Sequence, residues 1–266
     1  MRPWLARLSF AAFVLAALTG AIAAVGTRFD VWSPTFGLFH LFPWCICLGL
    51  MAFVLGVVWA LWAMAANRGE AARYGTIGLV GATFLIAVPL YDAAMGWTSP
   101  AIRDISTDVN TPPQFIALQA RRQAYARSRP ITPADYDGPK LARGPNGKTA
   151  TAAALQKKYY SDIRTRADLT SPEKLFDRAV KTAHRMGWDV IAVVPEQGRI
   201  EATSTSLWFG LSDDIAIRVK GAGVGARLDI RSKSRDDLSA GPFGASDMGR
   251  NAAHVRAFLK TLSDTY

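Results

Sequence analysis

Asp214-Ile-Ala-Ile-Arg-Val219, followed after a glycine-rich turn by Leu228-Asp-Ile-Arg-Ser-Lys-Ser-Arg235, is the stretch that decides the fold. Ile215, Ile217 and Val219 alternate with Asp214, Ala216 and Arg218, and Leu228 and Ile230 alternate with Asp229 and Arg231. A period of two with one apolar face is the pattern of half-buried antiparallel strands. The intervening Lys220-Gly-Ala-Gly-Val-Gly-Ala226 has the glycine spacing of a nucleotide loop, but a phosphate cradle needs a helix N-terminus behind it. Strands lie on both sides here, so the segment reads as a hairpin turn. Apolar residues must oppose apolar ones across the hairpin, which leaves two registers. One sets Arg218 opposite Asp229 and Asp214 opposite Lys233; its neighbour sets Asp214 opposite Arg231. In either, opposite charges meet on a face that reads as exposed.

Working outward, Thr170-Ser-Pro-Glu173 has the spacing of a capping box with proline in the first turn. Leu175, Phe176, Ala179, Val180, Ala183 and Met186 then give one apolar helix face ended by Gly187. Trp188 to Pro195 is valine-rich, apolar on both faces, and so reads as a central strand. Glu196-Gln-Gly-Arg199 turns into a strand over Ile200 to Ser206. A last helix begins near Ser246-Asp247, with Met248, Ala252, Val255, Phe258 and Leu262 on its inner face. Helix, four strands, helix predicts an α+β domain over 169–266, an antiparallel four-stranded sheet with helices packed on one face.

The first 95 residues hold five Lys/Arg and three Asp/Glu, against 26 and 18 in the remainder. Leu8–Val25, Phe42–Ala66 and Gly75–Tyr91 are apolar runs without charge, long enough or nearly so for a spanning helix. Residues 1–95 therefore read as a membrane domain with three transmembrane helices. Ala21-Ile-Ala23 has the look of a signal-peptidase site, but the length of the first run and the two runs behind it favour an uncleaved helix. Small residues recur every fourth position, at Ala12, Ala16, Gly20 and Ala24 and at Ala52, Gly56 and Ala60, the spacing that lets helices approach closely in lipid. Phe29, Trp32, Phe36, Phe39, His40 and Trp44 form an interfacial aromatic belt. Arg2 and Arg7 before the first run, and Arg68 and Arg73 between the second and third, place the N-terminus in the cytoplasm and the C-terminal domain outside.

Residues 96–168, punctuated by seven prolines, read as a Pro-rich connector with short helices over Phe115–Ala126 and Ala152–Ile163. Ala142-Arg-Gly-Pro-Asn-Gly-Lys-Thr149 falls short of a phosphate loop: its first glycine is missing and Pro145 interrupts it. The soluble part has no cysteine, so neither a disulfide framework nor a cysteine-based metal site is open to it.

Asp213-Asp214-x-x-x-Arg218, Asp229-x-Arg231-Ser-x-Ser234-Arg235 and Asp247-x-Gly249-x-Asn251, in that order and spacing, resemble the bacterial family called domain of unknown function 1499. The likeness runs over roughly residues 158 to 262, and departs from the family's pattern at the long acidic segment Asp236–Phe243. The resemblance implies that Asp214, Arg218, Asp229, Arg231, Arg235, Asp247 and Asn251 are recurring motif positions, and it supplies no reaction. No catalytic template accompanies them: Asp213 and Asp214 face opposite sides of a strand, and His184 and His254 sit on helices where packing explains them. The sequence thus yields no catalytic residue, no metal ligand and no cofactor.

The expected protein is a multi-pass bacterial inner-membrane protein with a periplasmic domain, acting as a non-enzymatic binding or scaffold module of the cell envelope. Its partners would be the lipid bilayer and, through the motif residues, anionic lipid or another membrane protein. The alternative is an envelope hydrolase or transferase using the Asp/Arg cluster on an anionic substrate. Nucleic acid is disfavoured because the basic residues are interleaved with acids. Trp208-Phe209, flanked by Leu207 and Leu211, reads as covering the end of the core, with contact to a bilayer or partner as the alternative.

Overall fold

The computed structural model describes residues 4–66, 72–241 and 246–264; Arg2, Arg68 and Phe243, used above, lie outside the described residues. The chain divides into two compact units, Met1–Ala94 with Trp208–Gly210, and Met95–Leu207 with Leu211–Tyr266.

The first unit is built on helices α1 (Trp4–Arg28), α3 (Phe42–Ala66) and α4 (Ala72–Thr98), with a short turn α2 (Pro34–Phe36) and a π-helical turn Gly37–Leu41 leading into α3. All three long helices are long and apolar enough to cross a membrane. The small-residue ridge does what its spacing predicts. Ala12, Ala16, Ala24 and Ala52 are buried, and a Cβ on Gly20 would lie 2.9 Å from Cys45 Sγ. Ser9 Oγ donates to the Ala52 carbonyl at 2.8 Å across the α1–α3 seam. His40 stacks on Phe36, with ring centroids 5.4 Å apart.

The second unit is an α+β domain whose sheet has six strands rather than the four expected. Strands β5 (Asp189–Val194), β6 (Arg199–Thr205), β7 (Ser212–Ala222) and β8 (Gly225–Ser234) form the anticipated antiparallel meander. Two three-residue strands, β1 (Asp104–Ser106) and β4 (Arg166–Asp168), then pair in tandem with the outer edge of β8. The order β1-β8-β7-β6-β5 makes β5 an edge strand, not a central one. It is apolar on both faces because both are partly covered: Val190 packs towards the main core and Ile191 against Phe115 and Leu118.

Residues 96–168 are accordingly no mere connector. Besides β1 and β4 they supply α5 (Leu118–Tyr125), the hairpin β2 (Leu141–Arg143) and β3 (Thr149–Thr151), and α6 (Ala152–Tyr159). Gly147, at φ 78°, makes the turn of that hairpin, which is what the near-phosphate-loop sequence forms.

Helices α7 (Pro172–Arg185) and α8 (Arg250–Ser263) bury Leu175, Phe176, Ala179, Val255, Phe258 and Leu262 against Ile200, Ile215, Ile217, Leu228 and Ile230. Ser171 caps α7 by accepting from Lys174 N, with Pro172 in the first turn. Helix α5 lies against the opposite face, where Phe115 and Leu118 meet Ala216, so helices pack on both faces rather than one. The hairpin adopts the first of the two registers, Arg218 with Asp229 and Asp214 with Lys233. Its two-residue turn, Gly223–Val224, takes φ 58° at the glycine, the left-handed geometry that such turns require.

Candidate functional site

The strand face carrying Asp214, Arg218, Asp229, Arg231, Lys233 and Arg235 was expected to meet solvent. It does not: residues 107–140 cross it as a strap, and Asp214, Asp229, Arg231 and Lys233 are all 0% exposed. The physical reason is that β1 and the strap supply further charges of opposite sign, Asp104, Asp108, Arg122 and Asp137, to the hairpin's own.

Asp104, on β1, is the hub of one cluster. Its two carboxylate oxygens accept from Arg231 Nε and Nη2, both at 2.8 Å, and Lys233 Nζ lies 3.3 Å away. The remaining Arg231 donors reach the carbonyls of Ala134 (3.0 Å) and Pro113 (3.3 Å). The rings of Phe115 and Tyr136 lie 4.4 and 5.4 Å from the guanidinium carbon. Lys233 is closed by Asp137 (2.9 Å) and the Asp135 carbonyl (2.5 Å). Burial lowers the Lys233 pKa, and Asp104 and Asp137 oppose that shift. Asp137 is pushed up by burial, but its hydrogen bond from Lys140 and the Lys233 charge prevail and leave it below the usual carboxylate value.

Asp214 joins Arg235 of its own hairpin to Arg122 of α5, and Arg235 donates on to Thr203 Oγ1 at 2.8 Å. Arg218 donates to Asp229 at 2.7 Å and to Asp108 of the strap at 3.2 Å. Glu201, on β6, accepts from the backbone N–H groups of Ile116, Ala117 and Leu118 at 2.9–3.0 Å, so a sheet carboxylate satisfies the orphan donors at the start of α5. Asp236 accepts from Ser212 N (2.8 Å) and Tyr125 Oη (2.7 Å), and burial raises its pKa.

On the helix face, Asp247 accepts from Gly249 N and Asn251 N, both at 2.8 Å, and so shapes the entry to α8. Asn251 spans the layers, taking a bond from Ser232 Oγ (2.6 Å) and donating to Ser234 Oγ (2.8 Å) and the Arg103 carbonyl (3.1 Å). Asp213 meets Arg250 at 2.7 Å and lies 3.6 Å from His254 Nδ1. An ion pair at that distance would raise the His254 pKa, but burial dominates and lowers it, with Arg250 adding to the effect.

The structure therefore brings the seven motif residues into two groups on opposite faces of one sheet, Asp247 and Asn251 being apart from the other five. Sequence reasoning missed Asp104, Arg122, Asp137 and Glu201. The first three sit in the proline-punctuated segment, where no periodicity marks them, and Glu201 lies on the polar face of a strand that had been recognised. A groove of about 430 Å³ lies between α7 and the turn Pro195–Gly198, lined by Glu173, Phe176, Asp177, Glu196, Val219 and Lys220; no motif residue lines it. Among the described residues no group of three His, Cys, Asp or Glu is placed to hold a metal ion.

Fold and interior together define an α+β domain with an internally closed charge network, carried on a chain with three membrane-spanning-length helices. Residues 104–262, more than half the chain, match the family described as protein of unknown function (DUF1499), and the chain belongs to it. The matched region begins at β1, so the family's unit includes the strap. Among curated proteins none matches the chain.

Proposed function

We propose that the protein is a membrane-anchored, non-enzymatic binding or scaffold module of the bacterial envelope. Its N-terminus would be cytoplasmic and its sheet domain periplasmic. One observation carries the non-enzymatic reading: the five charged motif residues of the sheet, Asp214, Arg218, Asp229, Arg231 and Arg235, are consumed inside the domain, each facing a partner of opposite sign. A hydrolase or transferase working through Asp229 and Arg231 would need them open to substrate, and both are fully covered. The raised carboxyl of Asp236 is likewise enclosed, held by Ser212 and Tyr125. The motif then preserves a shape, and partners such as anionic lipid headgroups or another envelope protein are met by the outer surface. The proposed orientation is supported by Arg2, Arg7, Arg68 and Arg73 flanking the helices on one side.

Extraction of the full chain in a mild detergent, with mass spectrometry of what remains bound, tests the module. Stoichiometric retention of a protein or an anionic lipid supports it. Turnover of a simple anionic ester, lost in Asp229→Asn with the fold intact, would replace it with the hydrolase. An alkaline phosphatase fusion after Tyr266 should be active; an inactive fusion beside a fluorescent cytoplasmic reporter would reverse the orientation.

A further inference from the structure

We propose that the loop between β6 and β7 is a second membrane anchor, with Leu207 and Trp208 entering the interfacial layer of the same bilayer that holds the helices. Thr203 to Ser212 contains no charged residue in a chain of net charge +10. The loop is closed at its base, where Thr205 pairs with Ser212 and Ser206 N donates to the Leu211 carbonyl at 2.8 Å. Leu211 N returns a bond to Ser206 Oγ at 2.9 Å, and the Leu211 side chain is buried. Of the four apolar residues expected to cover the core end, Leu211 is the buried one. Leu207 and Trp208 point outward at 74% and 68% exposure. An indole pairs an apolar body with a polar N–H, which is the chemistry of the headgroup level.

The sheet's own register puts this loop at the end where the chain arrives from the membrane. Helix α4 ends at Thr98 and β1 starts at Asp104, and the five residues between can bridge at most about 18 Å. Asp104 pairs with Lys233, and Lys233 pairs with Asp214, two residues into β7. With neighbouring strands about 4.8 Å apart and two residues of about 3.3 Å along β7, the entry point and the base of the loop are separated by only about 12 Å. The other hairpin tip, Gly223–Val224, lies at the far end of the eleven-residue β7, about 36 Å away. The occupant is therefore the bilayer that the tether already keeps within reach. The inference rests on α1, α3 and α4 being spans, and is independent of which side the domain occupies.

The test uses the full chain carrying Cys45→Ala and Cys47→Ala, with a single environment-sensitive label at Trp208→Cys, Val224→Cys or Trp97→Cys. Each protein is reconstituted into phosphatidylcholine liposomes containing nitroxide lipids. Quenching at 208 should come within about twofold of that at 97, at the end of α4, and several-fold above that at 224. Aqueous iodide quenching at 208 matching that at 224 would overturn the anchor. Protection at 208 from both quenchers would overturn it too, since protein rather than lipid would then cover the loop. Absence of lipid quenching at 97 as well would refute the spanning helices themselves, a separate failure that removes the anchor with them. A label-free control keeps the native cysteines: the emission lost in Trp208→Phe should be strongly quenched in brominated lipid, and unchanged intensity there counts against the proposal.

Discussion

Removing the Asp104 carboxylate should be among the most damaging single changes to the sheet domain. In Asp104→Ala, Arg231 loses two charge-assisted hydrogen bonds of 2.8 Å and Lys233 loses a carboxylate at 3.3 Å, with both cations 0% exposed. Breaking a buried pair from one side costs about 3–5 kcal/mol, because the remaining charge is stranded away from water. That is a large part of the roughly 5–15 kcal/mol that holds a domain folded. The molecule supplies its own control: Arg121 and Asp189 meet at 2.6 Å, yet their side chains are 51% and 61% exposed. Asp189→Ala should cost no more than about 1 kcal/mol. Urea unfolding of the full chain in detergent, read by pulse proteolysis of the sheet domain, should lower the Asp104→Ala midpoint by about 1–2 M and leave Asp189→Ala near wild type. The double change Asp104→Leu with Arg231→Leu should recover part of the loss, since it removes one stranded charge instead of creating it. Equal, small shifts for Asp104→Ala and Asp189→Ala would show that burial of the network has been misjudged, and the argument from it would fall.

Three further outcomes follow from the same interior. A fragment of residues 99–264 should melt cooperatively, whereas one starting at Ala153 lacks Asp104, Arg122 and Asp137 and should not; a cooperative transition in the shorter fragment would show the strap to be dispensable. His254 is held neutral by burial, so its folded pKa lies below the unfolded value of about 6.5. Stability should then be full above that value and fall as pH drops through it towards the folded pKa, and His254→Gln should flatten that fall in melts between pH 7.5 and 5. Gly198 sits at φ 58° with an ideal Cβ 2.0 Å from the Val219 carbonyl oxygen. Gly198→Ala should cost at least about 1–2 kcal/mol from the left-handed backbone alone, with the clash added, and an unchanged midpoint would contradict the turn geometry.

The β7–β8 hairpin was legible because Ile215, Ile217 and Val219 alternate in phase with Leu228 and Ile230, and only two registers kept them together. Helices α7 and α8 announced themselves by spacing, and α7 also by its serine–proline start. Strands β1 and β4 were invisible because three residues carry no period; they exist through their partner, the long free edge of β8. The fate of the charged face was hidden for a related reason. Alternating Asp and Arg on one strand face look alike whether water or a complementary set of charges lies above them. Here that set is Asp104, Asp108, Arg122 and Asp137, more than ninety positions upstream of the hairpin residues they meet. β5 misled in the opposite direction, since two partly covered faces produce the same valine-rich run at an edge as in the middle.

The tandem pairing of β4 and β1 with a single strand has a consequence for how the chain is made. Asp104 leaves the ribosome soon after α4, but its partners Arg231 and Lys233 follow some 127 and 129 positions later. At about 5–20 residues per second, that interval is roughly 6–25 s. Throughout it the strap's charges lack their hairpin partners and β1 has no neighbour, so the domain stays uncompacted. Only when β8 emerges do both ends of its outer edge find their strands, and the domain then closes from its last-made strand back to its first.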